Sequence, residues 1–336
     1  MGFDSAAILG TGSFGTALAR LIAGNLGRIE LIGRDPEVAE SIRKQHRNPR
    51  YLTDVTLPEN ITASCELARA AAHPLIIFSV PTSATRATAA SLAAADLPAS
   101  TVLLSCAKGI ERGTGDRMST ILREIFPTHP IAVLSGPNHA EEIGAGLATC
   151  AVIGCTDAPL ASRLQQLFTA PHFRSYTNDD IAGIELGGAI KNVYAIAAGI
   201  ASGLGLGDNA IAALVTRALA EMTRLGTQLG GRMETFAGLS GVGDLIATCY
   251  SEHSRNHRVG KALGMGQSLS DAVASIGMVA EGVPNTLSIF EAARRVGART
   301  PIIDAVHAIL YQDMPAARAL SELLNRDPRP ETDHSS

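Results

Sequence analysis

The residues best suited to chemistry in this sequence are glycines spaced to hold a phosphate and cations set among small or apolar neighbours. Gly10-Thr11-Gly12-Ser13-Phe14-Gly15 has the form G-x-G-x-x-G. In such a run Gly10 permits a tight turn, Gly12 lets backbone approach a pyrophosphate and Gly15 lets helix pack against strand. The helix start after it offers free N–H groups and the positive end of a dipole. The motif is weak alone, but here it follows the apolar run Ala6–Leu9 and opens a helical stretch, Thr16–Ala23, which is the context it requires. After the second apolar run, Gly33 stands near the position where a ribose-binding acid is usual, and Arg34 can reach a 2′-phosphate or remain a solvated charge. Asp35 before Pro36 is more economically a helix N-cap than a ribose ligand.

Further along, Lys191 lies in the apolar run Glu185–Ala195, with Gly187 and Gly188 one turn before it. Small neighbours leave space for a ligand. Desolvation would lower the lysine pKa towards neutrality, as a proton donor or acceptor needs. The alternative is a lysine that snorkels to water or pairs with a carboxylate such as Glu185. Ser254-Arg255-Asn256 reads as an N-cap followed by a helix, so that Arg255, Asn256 and free backbone N–H groups converge on one anion, or else as the start of a solvated helix. Asp244, after a glycine turn, is either another N-cap or a ligand to substrate hydroxyls.

The elements that must position these residues fall into two halves. Over residues 1–180, short Ile/Val/Leu-rich runs at Ala6–Leu9, Ile29–Ile32, Leu75–Val80, Val102–Ser105, Ile131–Leu134, Cys150–Gly154 and Phe173–Tyr176 alternate with helical patterns. That predicts an α/β unit, a doubly wound parallel sheet of Rossmann type. Over residues 181–326 the strand signals fade. Helical periodicity predicts an all-helical domain, beginning with a helix Ile181–Ser202 capped by Asn178-Asp179-Asp180. The tail, residues 327–336, has two prolines, three acids and no apolar side chain, and reads as disordered.

Composition narrows the function. The chain has 336 residues, 46% hydrophobic and 18% charged, with a net charge of −4. No global basic field favours nucleic acid or an anionic membrane, so any anion must be captured locally. The N-terminus has no basic leader, and the apolar runs near Leu75 and Ile131 have strand length rather than spanning length. Five cysteines without C-x-x-C spacing read as reduced structural thiols, with no metal site.

Taken in order, these motifs resemble the bacterial-type NAD(P)-dependent glycerol-3-phosphate dehydrogenase family over residues 6–324. Cys106-Ala107-Lys108-Gly109, Ser135-Gly136-Pro137 and Val279-Ala280-Glu281-Gly282 extend the match. The resemblance implies reduction of dihydroxyacetone phosphate to sn-glycerol 3-phosphate for glycerophospholipid synthesis, in a cytoplasmic homodimer using NADPH or NADH. It implies Lys191 as the catalytic proton donor and acceptor, and Lys108 as a lysine near both nicotinamide and substrate. Gly136, Asn138, Asp244, Ser254, Arg255 and Asn256 match substrate-binding positions. Ser13, Phe14, Arg34, Ala140, Arg255, Val279 and Glu281 match cofactor contacts. Asn138 departs from the Ser or Thr that the family pattern has there; its amide can still donate a hydrogen bond. With Gly33 in place of an acid, Arg34 predicts a preference for NADPH. Competing readings are a dehydrogenase of this architecture acting on a hydroxy acid, and a protein that binds NADP without turnover.

Overall fold

A computed structural model describes residues 2–277, 279–327, 330 and 331. The expectation for the tail falls mostly outside them. Strands β1 (Ser5–Leu9), β2 (Arg28–Ile32), β3 (Ile61–Ser64), β4 (Leu75–Phe78), β5 (Val102–Ser105), β6 (Ile131–Ser135), β7 (Thr149–Gly154) and β8 (Phe173–Asn178) form one sheet in the order 3-2-1-4-5-6-7-8. Between them run α1 (Ser13–Ile22), α2 (Pro36–Gln45), α3 (Thr82–Ala93), α4 (Met118–Ile125), α5 (Ala140–Ala145) and α6 (Ala158–Phe168). Successive strand residues face opposite sides. Ala6 and Ile8 therefore join a buried cluster with Ile22, Val38 and Leu164, while Ala7 and Leu9 join another with Ala89, Leu92 and Leu122. Helices cover both faces, which is why the central strands read as apolar runs; the edge strand β8 alternates buried and exposed residues.

Two features differ from the sequence expectation. Strand β3 lies outside the predicted runs: Ile-Thr-Ala-Ser alternates apolar and polar, is short, and sits at the sheet edge beside β2. The sheet is also not wholly parallel, because β7 runs antiparallel to β6 and takes β8 with it. The chain between β6 and β7 holds only the six-residue α5, roughly 9 Å of helix. The chain then enters β7 from the edge where β6 ended, and β7 pairs antiparallel with β6.

Among the described residues every element from Ile181 onward is helical: α7 (Ile181–Gly203), α8 (Asp208–Gln228), α9 (Met233–Phe236), α10 (Asp244–Tyr250), α11 (Arg255–Gly264), α12 (Leu269–Ile276), α13 (Gly282–Arg295), α14 (Pro301–Tyr311) and α15 (Ala316–Leu324). Asp180 caps α7, its Oδ1 accepting from the Gly183 N–H at 2.9 Å. By length and hydropathy α7 could cross a membrane, but 94% of its most apolar window is buried inside the protein. It is the core helix around which the others pack.

Helix α11 lies against α7 at backbone contact. A Cβ at Gly260 would strike the Ile196 carbonyl oxygen, and one at Gly264 the Ile200 carbonyl oxygen. One turn earlier the Asn256 amide donates to Asn192 Oδ1 at 3.0 Å. The pairs 192–256, 196–260 and 200–264 step together, so the two helices run parallel and the start of α11 comes to rest beside Lys191.

Candidate active site

The sheet order reverses at β1, which is flanked by β2 and β4. Ligands of such folds bind outside the carboxyl ends of the strands at that switch point. The predicted residues gather along this edge. The 10–15 turn follows β1, Arg34 follows β2, Lys108 follows β5, and Gly136 and Asn138 follow β6.

The 10–15 turn has the geometry of a phosphate cradle. Gly10 sits at φ +116°, and a Cβ there would lie 2.5 Å from the Ser79 carbonyl oxygen. A Cβ on Gly15 would collide with the Gly10 carbonyl. Around Gly12 the space is open. Helix α1 has no side-chain cap, and its first bond to Gly12 O comes from Thr16 N. The N–H groups of Ser13, Phe14 and Gly15 are thus left for an anion. These residues fit a dinucleotide pyrophosphate.

Gly33 has a packing reason of its own. Any Cβ there would run into the Thr11 side chain, so the missing acid says less about the cofactor than the sequence implied. Asp35 caps α2 through Glu37 N at 3.0 Å and pairs with Arg50 at 2.9 Å. Arg34 is exposed beside it.

The second group centres on Asp244, only 1% exposed. Its Oδ1 accepts from Lys191 Nζ at 2.6 Å and its Oδ2 from Lys108 Nζ at 2.8 Å. Lys108 also donates to Gly136 O at 2.8 Å and Asn138 Oδ1 at 2.7 Å; Lys191 also donates to Thr248 Oγ1 at 2.6 Å. Burial pushes the Lys191 pKa down; Asp244 restores part of it and the Lys108 charge lowers it again, leaving it at about 8. For Asp244, burial acts upward, but the two ammonium groups outweigh it and hold the carboxyl below its usual range.

These contacts resolve three alternatives. Lys191 pairs with Asp244 and not with Glu185, whose carboxylate instead accepts from Arg117 Nη1 and Ser119 N at the start of α4. Asp244 makes no side-chain cap. Gly187 and Gly188 do not leave room for a ligand: a Cβ on Gly187 would meet the Ser240 carbonyl, and one on Gly188 would lie 2.6 Å from Ser135 Oγ. Their smallness lets the 239–243 turn close on α7, and that closure delivers Asp244 to Lys191.

Ser254 caps α11, accepting from His257 N at 3.2 Å. The N–H groups of Arg255 and Asn256 have no helical acceptor, whereas the Asn256 carboxamide is spent between Asn192 and Gly282 N. Arg255 Nη1 donates to Val279 O at 3.1 Å. Glu281 accepts from Thr82 N and Thr82 Oγ1 at the start of α3. Burial raises its pKa against those bonds, and the nearby Arg255 and Lys108 charges oppose the rise. Ala140 is buried in the first turn of α5. Arg255, Lys108 and Glu281 thus share one neighbourhood, while Arg34 belongs to the cradle end.

Sequence reasoning missed Thr82, Thr248, Asn192 and His139. Burial and the Lys191 and Lys108 charges lower the His139 pKa, and its position three residues past Gly136 was the available signal. Nothing local marked Thr82 or Thr248.

The profile of the NAD-dependent glycerol-3-phosphate dehydrogenase N-terminus matches residues 5–161, and that of the C-terminus matches residues 180–321. This chain belongs to that family. It is 46% identical to the NAD(P)-dependent glycerol-3-phosphate dehydrogenase of Thermobifida fusca over 97% of this chain and 98% of that one. Against the Moorella thermoacetica enzyme of the same name it is 46% identical over 96% of each. The crystal structure of glycerol-3-phosphate dehydrogenase from Coxiella burnetii superposes with a TM-score of 0.92 at 36% identity, covering 96% of this chain and 99% of that one. The glycerol-3-phosphate dehydrogenase fold therefore spans the whole architecture, sheet and helices alike.

Proposed function

We propose that this chain interconverts dihydroxyacetone phosphate and sn-glycerol 3-phosphate with NADH or NADPH. The observation that carries the reading is the buried Asp244 carboxylate between the Lys191 and Lys108 ammonium groups, at the carboxyl edge of a dinucleotide-binding sheet. When bound, the nicotinamide supplies or takes the hydride. The cradle at Gly10–Gly15 would hold the pyrophosphate, Arg34 a 2′-phosphate, and Ala140, Val279 and Glu281 would border the nicotinamide end.

In reduction, negative charge develops on the substrate C2 oxygen. Lys191 and Lys108 place two cations there, which stabilise the oxyanion, and Lys191 delivers its proton. Asp244 keeps both ammonium groups pointed at one locus. Arg255 and the free N–H groups at the start of α11 would take the substrate phosphate. Asn138 has a buried Nδ2 with no hydrogen-bond partner among the described residues. Because an ammonium only donates, Lys108 fixes Oδ1 as the inward atom, and Nδ2 is left to donate to a substrate oxygen.

We extend the reading to a dinucleotide-binding unit over residues 1–180, a substrate unit over 181–326, a preference for NADPH and a homodimer in the cytoplasm. Sedimentation of the purified chain tests the dimer. The deciding assay follows reduced-nicotinamide absorbance, as its loss with dihydroxyacetone phosphate and NADPH and as its gain with 3-hydroxyisobutyrate or 6-phosphogluconate and the oxidised cofactor. Turnover of the triose phosphate alone supports the proposal. Turnover of a hydroxy acid alone replaces it, and binding of NADPH without any turnover points to a sensor.

A further inference from the structure

A buried amide outside the sequence motifs ties the cofactor side of the sheet together. Asn48 lies in the loop after α2 and is 1% exposed. Its Nδ2 donates to the Thr11 carbonyl at 2.8 Å and to Thr16 Oγ1 at 2.9 Å. Its Oδ1 accepts from Arg50 N and Tyr51 N, each at 3.1 Å. Both amide hydrogens and both lone pairs are used, the full capacity of a carboxamide.

The partners are not arbitrary. Thr11 is the residue between Gly10 and Gly12, and its side chain fills the space that Gly33 leaves. Thr16 N makes the first bond of α1. On the other side, Arg50 pairs with Asp35, the cap of α2 beside Arg34. One side chain therefore joins the phosphate cradle, the end of β2 and the 48–51 turn. A loop carbonyl such as Thr11 O has no ladder to hold it, and a cradle works only if its N–H groups already point at the anion.

We propose that Asn48 is a positioning residue for the dinucleotide: its buried carboxamide sets the phosphate cradle and the adenosine-side wall in one register before the cofactor arrives. The inference rests on the dinucleotide reading of the 10–15 turn. It assigns Asn48 no contact with the cofactor and no part in the proton chemistry, since Lys191, Lys108 and Asp244 have separate partners.

The consequence is a specific pattern. The cradle holds the pyrophosphate that NADH and NADPH share, so loss of Asn48 weakens both equally. Loss of Arg34, in contrast, weakens NADPH alone. Asn48→Asp keeps the shape and reverses two donors into acceptors facing Thr11 O and Thr16 Oγ1. Thr16→Val removes one acceptor only, and Thr16→Ser restores it.

The test uses the full chain. Binding of NADPH and NADH is measured by fluorescence, and kcat and the KM for dihydroxyacetone phosphate are measured at saturating NADPH. Asn48→Asp should raise both cofactor Kd values roughly tenfold, the scale of one lost buried hydrogen-bond set, with the NADPH-to-NADH ratio, kcat and substrate KM held within about twofold. Thr16→Val should raise both by a few-fold and Thr16→Ser should return them. Unchanged Kd values in folded Asn48→Asp, or a kcat that falls in step with affinity, would overturn the inference. If Asn48→Asp does not fold, unchanged Kd values in Thr16→Val would do the same. A wild-type chain that binds neither cofactor overturns the dinucleotide reading and this inference with it, whereas binding in the wild type with unchanged variants overturns this inference alone.

Discussion

Asp244 Oδ1 lies 2.6 Å from Lys191 Nζ, with the carboxylate supplied by α10 and the ammonium by α7. The same carboxylate reaches Lys108, which follows β5 in the sheet. One acid thus couples the helical half of the chain to the carboxyl edge of the strands, and sets both the direction and the basicity of the lysine that would carry the proton.

Asp244→Asn should keep the side-chain volume and remove the charge. The buried Lys191 ammonium and the partly buried Lys108 ammonium then face each other without a counter-charge, and the Lys191 pKa falls further because the acid that raised it is gone. We expect kcat to drop by at least about a hundredfold and the alkaline limb of the reduction profile to move to lower pH. A variant whose pH profile coincides with that of the wild type would remove Asp244 from this role.

Lys191→Met preserves most of the stem in an apolar setting, so the fold should survive. Loss of a positioned acid costs on the order of 10²–10⁴-fold in kcat. NADPH affinity should stay within about twofold, because the cradle shares no partner with Lys191. Turnover and NADPH fluorescence in one preparation check both halves. More than about a tenth of the wild-type kcat remaining would move the proton to Lys108 or water.

The pH dependence follows from the Lys191 pKa of about 8. Reduction needs the ammonium form, so kcat should be level below that value and fall as pH rises through it. Oxidation of glycerol 3-phosphate needs the amine, so its rate should rise through the same range. Initial rates in both directions across pH 6–10 (an interval spanning roughly two pH units either side of the lysine) test the sign. A reduction rate that climbs with pH contradicts the assignment.

Arg34→Ala should weaken NADPH and leave NADH nearly unchanged. A hydrogen-bonded charge pair contributes about 1.5–3 kcal/mol, which corresponds to roughly ten- to a hundredfold in Kd. Arg50 cannot easily substitute, since Asp35 and Glu37 already occupy it. Equal losses for the two cofactors would place Arg34 on the adenine or in the fold.

Arg255→Ala should raise the KM for dihydroxyacetone phosphate strongly and lower kcat as well, because phosphate binding energy orients the reacting carbonyl. The lost charge-assisted bonds are worth about 2–5 kcal/mol. The variant also frees the Val279 carbonyl, so a modest rise in the NADPH Kd should accompany the kinetic change. Unaltered steady-state kinetics would free the α11 start of any role in phosphate binding.

Much of this was legible along the chain because its causes are local. The cradle is a matter of three glycines after an apolar run, and Gly10 meets the requirement at φ +116°. Asp35, Asp180 and Ser254 each cap the helix that their position announced, since a cap reaches only two or three residues ahead. Six of the strands showed as apolar runs because burial on both faces leaves no polar alternation to blur them, while β8 alternates buried Phe173 and Ser175 with exposed Arg174 and Tyr176. What tertiary structure decided was partnership across distance. No local rule says that Lys191 meets an acid 53 residues later rather than Glu185 six residues earlier; the close approach of Gly187 to the Ser240 backbone decides it. Sequence spacing could not show that Asn48 reaches back 37 residues to the cradle, or that Thr82 and Glu281 meet across 199. The reversal at β7 belongs to the same class: a strand's direction is fixed by its pairing with β6 and β8 across the sheet, which no local pattern states.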